Sequence, residues 1–348
     1  LSPIHLAMIK AAKLKIPDGM TTDVSPTVLM SMAVSPNTSL TTRISAAERA
    51  VNLGILGSEQ LSSIYSNIVF TEDRVNVVFD GNKLEELDSK ALLFQIAKTQ
   101  VVPEAKAEVL YKASLIAHEE GMHITNYLVN KESYSVIKPN NSLIWFAGDA
   151  MSAHLYYGEI ENAKKWFKLL DNSNNFKDID TEKTFLNFWP IFYIIDPEIS
   201  KISISEWVKK MMSIGNGTNT RQIEVTLSML QKLNYDISQD IWINLILNSK
   251  SEEIFGPPIV FNSNLETAFE NGKIGETILY SLLILGKNQN FLTPSYGLQV
   301  VEGLNKVRLE EEAKNLAIEV LLSYNKPRII SVKEKDIDNN SLSEKNNY

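Results

Sequence analysis

The clearest hint of chemistry in this sequence is a pair of histidines in the segment HEEGMH, at His118 and His123. A zinc-protease helix carries its two histidines at positions i and i+4, so that both face the same metal ion. At i+5 the two side chains are rotated by roughly 140° from each other, because a helix has 3.6 residues per turn. Gly121 is also expected to end the helix between them. We therefore predict two histidines at helix ends and no metal site.

Asp149 and His154 form a second candidate pair, suited to acid–base chemistry. They are also five residues apart on a predicted helix, so they face different directions. A histidine among alanines and tyrosines is more typical of an interior or groove position than of a catalytic one. The chain has no cysteine, which excludes thiolate metal ligands and cysteine nucleophiles. It also lacks a nucleophile elbow and a phosphate-binding glycine loop. We assign no catalytic residue and predict no cofactor.

Aromatic residues are concentrated near the middle of the chain, between positions 145 and 193. Tryptophan and tyrosine combine a large apolar area with one polar group, which suits recognition. One interpretation is a groove with aromatic walls that binds a peptide, a glycan or another ligand. The alternative, which we favour, is that these side chains fill the core of a helical array. The candidate ligand-binding residues of such a groove are Trp145, Asp149, His154, Tyr156, Trp189 and Tyr193.

The segment 141–170, which contains several of these residues, is predicted to be a helical hairpin. Asn141 or Ser142 can cap the first helix, because a side-chain oxygen can accept an unpaired backbone N–H at a helix start. Apolar residues then recur at helical spacing. Gly158 suits the left-handed conformation that ends helices. A second helix starts at Glu159, an acid that stabilises the positive end of the helix dipole.

A short motif in this hairpin, Gly158-x4-Ala163-x3-Phe167, resembles the second half of a tetratricopeptide repeat. The first half departs from that family, with Met151 where a glycine is usual and His154 where an aromatic residue is usual. Weaker echoes occur at Arg308-x4-Ala313-x3-Ala317 and at Gly272-x4-Thr277-x3-Ser281.

The resemblance implies an all-α fold of the tetratricopeptide-like α-solenoid class, built as a right-handed superhelical array of antiparallel helix pairs. That class implies binding or scaffolding more often than catalysis. The expected turn glycines are 67, 37, 57 and 57 residues apart, whereas a tetratricopeptide repeat spans about 34 residues. The predicted array is therefore degenerate. These glycines are Gly54, Gly121, Gly158, Gly215 and Gly272.

The periodicity of apolar residues predicts one helical array over residues 1–325 and a disordered polar tail over residues 326–348. The polar stretch 171–180 is a possible hinge. Residues 70–79 contain valines that would suit a strand, but we favour a helix because no partner strand is evident. Pro190 is expected to kink or split the helix that contains it.

The composition limits the partners and the compartment. A net charge of −8 and a pI near 5.3 argue against nucleic acid, because phosphate binding needs clustered Lys and Arg. No apolar run approaches the roughly 20 residues of a membrane span, so we expect a soluble protein, either cytoplasmic or exported. The sequence begins with Leu1 rather than methionine, so we expect a segment upstream of it. The first predicted helix has no evident cap partner, which suggests that the array continues into that segment.

These observations favour a non-enzymatic interaction protein whose concave helical face binds a peptide or a protein. A second hypothesis is a helical enzyme, or enzyme module, acting on a glycan or another small ligand, with Asp149 and Glu159 as its acids. A third is an assembly subunit whose upstream part carries the activity. The oligomeric state stays open.

Overall fold

The computed structural model describes residues 3–14, 21, 24–35, 38–70, 89–172, 179–215, 219–248, 259–286 and 294–323. All regular structure in these ranges is helical, which confirms the predicted all-α class. The predictions for residues 71–88, for the central part of the 171–180 hinge and for the 326–348 tail lie outside the described residues.

The first helices are α1 (Pro3–Ala11), α2 (Pro26–Val34), α3 (Leu40–Asn52), α4 (Ser58–Ser66), α5 (Ser89–Thr99), α6 (Pro103–Glu119), α7 (His123–Val129) and α8 (Lys131–Ser135). After a 3₁₀ helix (Asn141–Phe146) come α9 (Ala147–Tyr156), α10 (Ile160–Asn172), α11 (Ile179–Ile195), α12 (Ile204–Gly215), α13 (Thr220–Lys232), α14 (Gln239–Asn248), α15 (Ile259–Glu270), α16 (Ile274–Leu285), α17 (Pro294–Lys306) and α18 (Glu310–Leu322).

Successive helices pack against each other in pairs, as expected for an array of helical hairpins. The most extensive contacts between helices are those of α2 with α3, α5 with α6, α9 with α10, α15 with α16, and α17 with α18. None of the helices in the described ranges is long and apolar enough to cross a bilayer.

The central hairpin has the predicted turn but a different start. Asn140, rather than Asn141 or Ser142, provides the cap, since its Oδ1 accepts from the backbone N–H of Ser142 at 2.9 Å. The first turn is 3₁₀, and the α-helix begins at Ala147. Gly158 has a φ of +71°, which confirms the left-handed turn.

The three segments that share the tetratricopeptide-like motif also share a backbone geometry. Each begins at a residue with positive φ: Gly158 at +71°, Gly272 at +66° and Arg308 at +65°. In each, the residues five and nine positions later are buried, so the three segments share a turn conformation and a burial pattern. The residues at these positions are Ala163 and Phe167, Thr277 and Ser281, and Ala313 and Ala317.

Pro190 does not split its helix, because α11 continues from Ile179 to Ile195. A proline has no N–H, so it leaves the carbonyl four residues earlier without its helical partner. That carbonyl belongs to Leu186, and it accepts from Nε1–H of the buried Trp207 at 2.8 Å. The indole of α12 therefore replaces the missing backbone donor. Of the two outcomes that we expected at Pro190, a kink or a split, the split does not occur.

The buried apolar residues form two clusters. A smaller N-terminal cluster joins α1 to α4, and a larger one extends from α5 to α18. Helix α5 contributes to both, with Ala91 and Phe94 in the N-terminal cluster and Leu93 and Ala97 in the larger one. The contact between the two clusters therefore runs along α5.

The last hairpin packs against helices far from it in sequence as well as against its neighbour. Helix α17 contacts α13, and α18 contacts α11. Asn305 Nδ2 donates to the backbone carbonyl of Lys232 at 2.8 Å, and Lys232 Nζ pairs with Glu302 at 2.5 Å. In an ideal solenoid each repeat touches only its neighbours, so these contacts are an addition that the repeat pattern did not predict.

Candidate functional site

Asp149, which we had considered for acid–base chemistry, lies in the core of the central hairpin. Its Oδ1 accepts from Ser114 Oγ at 2.6 Å and from Tyr127 OH at 2.8 Å, and its Oδ2 accepts from Tyr134 OH at 2.6 Å. Burial raises the pKa of Asp149 to about 6, although the three hydroxyl donors act in the opposite direction. The carboxyl group thus links α6, α7 and α8 to α9, and its oxygens are occupied by internal hydrogen bonds.

His154 belongs to a separate network at the end of α9. Its Nδ1 lies 2.9 Å from Glu159 Oε2, and Glu159 also contacts Lys131 at 3.3 Å and Asn162 at 3.2 Å. Burial lowers the pKa of His154 despite the nearby carboxylate. Burial alone would raise the pKa of Glu159, but the bonds from His154, Asn162 and Lys131 lower it. Asp149 and Glu159 therefore have different hydrogen-bond partners and belong to separate networks.

Trp145 and Tyr156 lie nearer to the surface. The Trp145 ring is 38% exposed and packs edge-on against Tyr111, with ring centroids 5.6 Å apart. Tyr156 is half-buried and stacks on Tyr127 at 5.6 Å, with its hydroxyl 3.4 Å from Nε2 of His123. These two rings are therefore packed against different neighbours.

The last two members of the predicted set are on α11. The rings of Trp189 and Tyr193 stack at 4.7 Å, and Trp189 also stacks on Trp207 at 5.6 Å. Trp189 is fully buried, whereas Tyr193 is partly exposed.

Of the six predicted groove residues, three are interior and three reach solvent. The interior ones are Asp149, His154 and Trp189, and the ones that reach solvent are Trp145, Tyr156 and Tyr193. This distribution favours the packing interpretation for the interior three.

The two histidines of the HEEGMH segment do lie at helix ends, His118 in the last turn of α6 and His123 at the start of α7. Gly121, with a φ of +69°, reverses the chain between them. Their rings stack at 4.7 Å, an arrangement that the straight-helix argument did not anticipate. Within the described ranges, no group of three or more potential ligand side chains could hold a metal ion.

A charged cluster that sequence reasoning missed lies where the two apolar clusters meet. Lys90 on α5 bonds to Glu48 on α3, with Nζ 2.7 Å from Oε2, and to Glu120 at the end of α6. Tyr65 on α4 donates its hydroxyl hydrogen to the other oxygen of Glu48. Glu48, Tyr65 and Lys90 are all buried, while Glu120 is partly exposed.

Burial and pairing act in opposite directions on the pKa values of this cluster. Burial raises the pKa of Glu48, and Lys90 opposes that rise without cancelling it. Burial would lower the pKa of Lys90, but Glu48 and Glu120 together raise it. Burial also raises the pKa of Tyr65. The charges compensate one another inside the protein, so the cluster holds helices together and presents no free nucleophile.

The sequence contains a signal for this cluster. Glu48 falls on the apolar stripe of α3 with Ile44, Ala47 and Val51, at positions i, i+3, i+4 and i+7. In the same way Lys90 begins the α5 series that continues with Leu93, Phe94 and Ala97. A charge on a stripe that must be buried predicts a buried partner of opposite sign, and the two helices supply one charge of each sign.

A small cavity with both polar and apolar lining adjoins the cluster. Glu48, Tyr65 and Lys90 line it from one side, and Thr125, Asn126 and Val129 of α7, with the flanking Met122 and Asn130, line it from the other. It has room for about one water molecule. The cavity is therefore too small for a substrate of the size of a sugar or a peptide.

Helix α16 has an unusual surface. Five large aliphatic side chains lie on its solvent side, and we call this set the α16 ridge. Leu279 is 56% exposed and Leu282 is 64% exposed. The members of the ridge are Ile274, Ile278, Leu279, Leu282 and Leu283.

The inward side of α16 carries two small polar residues and one aliphatic residue, Ile284 near its end. Thr277 and Ser281 are buried, and each hydroxyl bonds to a carbonyl of the same helix, at 2.9 and 2.7 Å. Opposite them on α17 is Gly303, where an added Cβ would lie 3.2 Å from Phe269 and 3.5 Å from Thr277. The helices thus approach closely through small residues, which leaves the aliphatic side chains outside. A surface helix ordinarily has the opposite arrangement.

The sequence was also compared with known proteins. No protein-family model, no curated protein and no solved structure matches this chain.

Proposed function

We propose that this chain is a non-enzymatic interaction protein, a degenerate tetratricopeptide-like array that binds a helical segment of another protein on the α16 ridge. The single observation that carries the proposal is helix α16, on which five leucine and isoleucine side chains face solvent while Thr277 and Ser281 face the core beside Ile284. The shared turn geometry of the segments beginning at Gly158, Gly272 and Arg308 supports the repeat assignment.

Leaving the α16 ridge exposed to water has a cost in free energy. Burial of a leucine or isoleucine side chain contributes about 1.5–3 kcal/mol, so five partly exposed side chains retain several kcal/mol that a partner can recover. Contiguous exposed apolar surface on a folded protein is typical of interaction sites. Spacings of i, i+4 and i+8 along α16 match the ridges of a second helix, which favours a helical partner over an extended one.

The charges around the ridge indicate the chemistry of that partner. The α15–α16 hairpin carries three glutamates and one lysine, and that lysine, Lys273, pairs with Glu276 at 3.0 Å. Glu266 and Glu270 are exposed on α15. A second copy of the chain would bring the same acidic charge to the interface, whereas a helix with lysine or arginine beside its apolar stripe would complement it. We therefore assign the ridge to a basic amphipathic helix.

The test uses a fluorescein-labelled 18-residue helix of leucine and lysine, and a counterpart of leucine and glutamate. We expect the lysine peptide to bind, as measured by fluorescence anisotropy, and the Leu279→Ser/Leu282→Ser variant to bind it at least about tenfold more weakly. Both side chains are exposed, so the fold should be retained, which circular dichroism would check.

The matched control is Leu53→Ser/Ile179→Ser, which removes two equally exposed aliphatic side chains elsewhere. It should bind the lysine peptide like the wild type. Equal loss in both variants would mean that the peptide binds exposed apolar surface without selectivity, and no loss in either would mean that it is held by charge alone; either result would refute the site. Tight binding of the glutamate peptide would refute the charge argument. Sedimentation velocity of the chain alone should show a monomer, and a dimer that dissociates in Leu279→Ser/Leu282→Ser would assign the ridge to a second copy instead.

A further inference from the structure

The small cavity between α3, α4, α5 and α7 is lined by two side chains with unfilled hydrogen-bonding capacity. Asn130 Nδ2 donates to the backbone carbonyl of Asn126 and to Asn126 Oδ1, both at 3.0 Å. This leaves Asn126 Nδ2 as a donor and Asn130 Oδ1 as an acceptor with no hydrogen-bond partner among the described residues. The two residues are 7% and 3% exposed, so bulk water does not reach these atoms.

Buried polar groups in folded proteins are almost always paired, by protein or by ordered water. One unpaired donor and one unpaired acceptor on adjacent turns of α7, lining one cavity, are the arrangement that a single bridging water satisfies. The cavity has room for about one such molecule. Lys90 lines the same cavity, and its ammonium group has three N–H donors, two of which bond to Glu48 and Glu120.

We propose that an internal water molecule occupies this cavity, accepting from Asn126 Nδ2 and donating to Asn130 Oδ1. The third N–H of Lys90 supplies a further donor, and three hydrogen bonds are typical of a buried water. The water joins α7 to the Glu48–Lys90–Tyr65 cluster, so it is a component of the contact between the N-terminal core and the central core.

The charges of the cavity exclude the other small occupants. A cation would lie beside the ammonium group of Lys90, and an anion would lie beside the buried carboxylate of Glu48. A neutral molecule that both donates and accepts has no such conflict. Water is the one that fits the available space.

The direct test is nuclear magnetic resonance on protein labelled with ¹⁵N at asparagine. We expect a cross-relaxation peak between the side-chain amide of Asn126 and a water molecule with a long residence time. Absence of that peak at Asn126, with peaks still seen at exposed asparagines such as Asn140, would show that the cavity is dry and would overturn the proposal. Crystals soaked in bromide or rubidium should show no anomalous peak in the cavity, and such a peak would replace the water with an ion.

Discussion

At the residue scale, Asp149 shows how a side chain that suggests catalysis can serve packing. Its three hydroxyl partners come from positions 114, 127 and 134, on helices α6 to α8. The sequence placed Asp149 among candidate groove residues because it could not show that three distant hydroxyl groups converge on it. The apolar neighbours Ala150 and Ala153 indicated that one face of α9 is buried. The five-residue spacing between Asp149 and His154 did not show which of the two side chains lies on that face.

Asp149 should make the protein less stable as the pH rises. The pKa of its carboxyl group is about 6 in the folded protein and 3.8 as a reference for the unfolded chain. The folded state thus holds a proton that the unfolded state has lost, so the stability from this group is complete below pH 3.8 and is lost as the pH rises through 6. Between pH 4.5 and pH 7 the loss is about 2 kcal/mol. Urea unfolding at the two pH values, compared between wild type and Asp149→Asn, should show a smaller pH dependence in the variant. An unchanged pH dependence would contradict this role.

The buried pair of Lys90 and Glu48 predicts a loss of stability when one of its two charges is removed. Lys90→Met leaves Glu48 buried without its cation, and loss of one partner of a buried pair costs about 3–5 kcal/mol. The double variant Glu48→Gln/Lys90→Met removes both charges and should recover a large part of that loss. Both free energies of unfolding come from urea titrations at pH 7. A double variant as unstable as Lys90→Met would show that packing of the lysine stem, not charge, explains the effect.

At the scale of single elements, the hairpin turns were the most predictable part of the fold. The positive φ of Gly158 and Gly272 follows from glycine at the end of an apolar helical period. The same conformation at Arg308 was not predicted, since arginine does not itself indicate it. Pro190 shows the limit of local rules. The proline was visible in the sequence, but the compensating Trp207 donor lies on another helix and was not.

The shared turn geometry predicts opposite effects for two reciprocal substitutions. A residue with a Cβ in the left-handed region costs about 1–2 kcal/mol relative to glycine. Nothing lies within 4 Å of a Cβ added at Gly158, so Gly158→Ala should destabilise by about 1 kcal/mol through backbone strain alone. Arg308→Gly should relieve that strain, offset in part by the greater freedom of glycine in the unfolded chain, and stabilise by a few tenths of a kcal/mol to about 1 kcal/mol. Thermal unfolding followed by circular dichroism measures both. A destabilised Arg308→Gly would mean that the arginine side chain contributes more than the strain costs.

At the scale of the whole molecule, apolar periodicity was enough to predict an all-α array of helix pairs. It could not predict the return of α17 and α18 to α11 and α13, because contacts over such separations depend on how the hairpins stack. Nor did it separate the N-terminal cluster from the larger one. The apolar residues of α16 were visible in the sequence as a run. Which side of the helix faces the core depends on Gly303, which lies on the next helix.

The two apolar clusters predict that the N-terminal helices can unfold before the rest of the molecule. All five tryptophans lie between positions 145 and 242, so their fluorescence reports the larger cluster, whereas far-ultraviolet circular dichroism reports every helix. Ile44 is fully buried in the N-terminal cluster, and Ile44→Ala should cost about 2–5 kcal/mol there. In this variant, urea should reduce the dichroism signal at a lower concentration than it changes the fluorescence, because only the smaller cluster is weakened. Leu227→Ala, a matched truncation in the larger cluster, should shift the fluorescence transition itself. If the two signals of Ile44→Ala shift together, the polar contact along α5 couples the clusters into one cooperative unit.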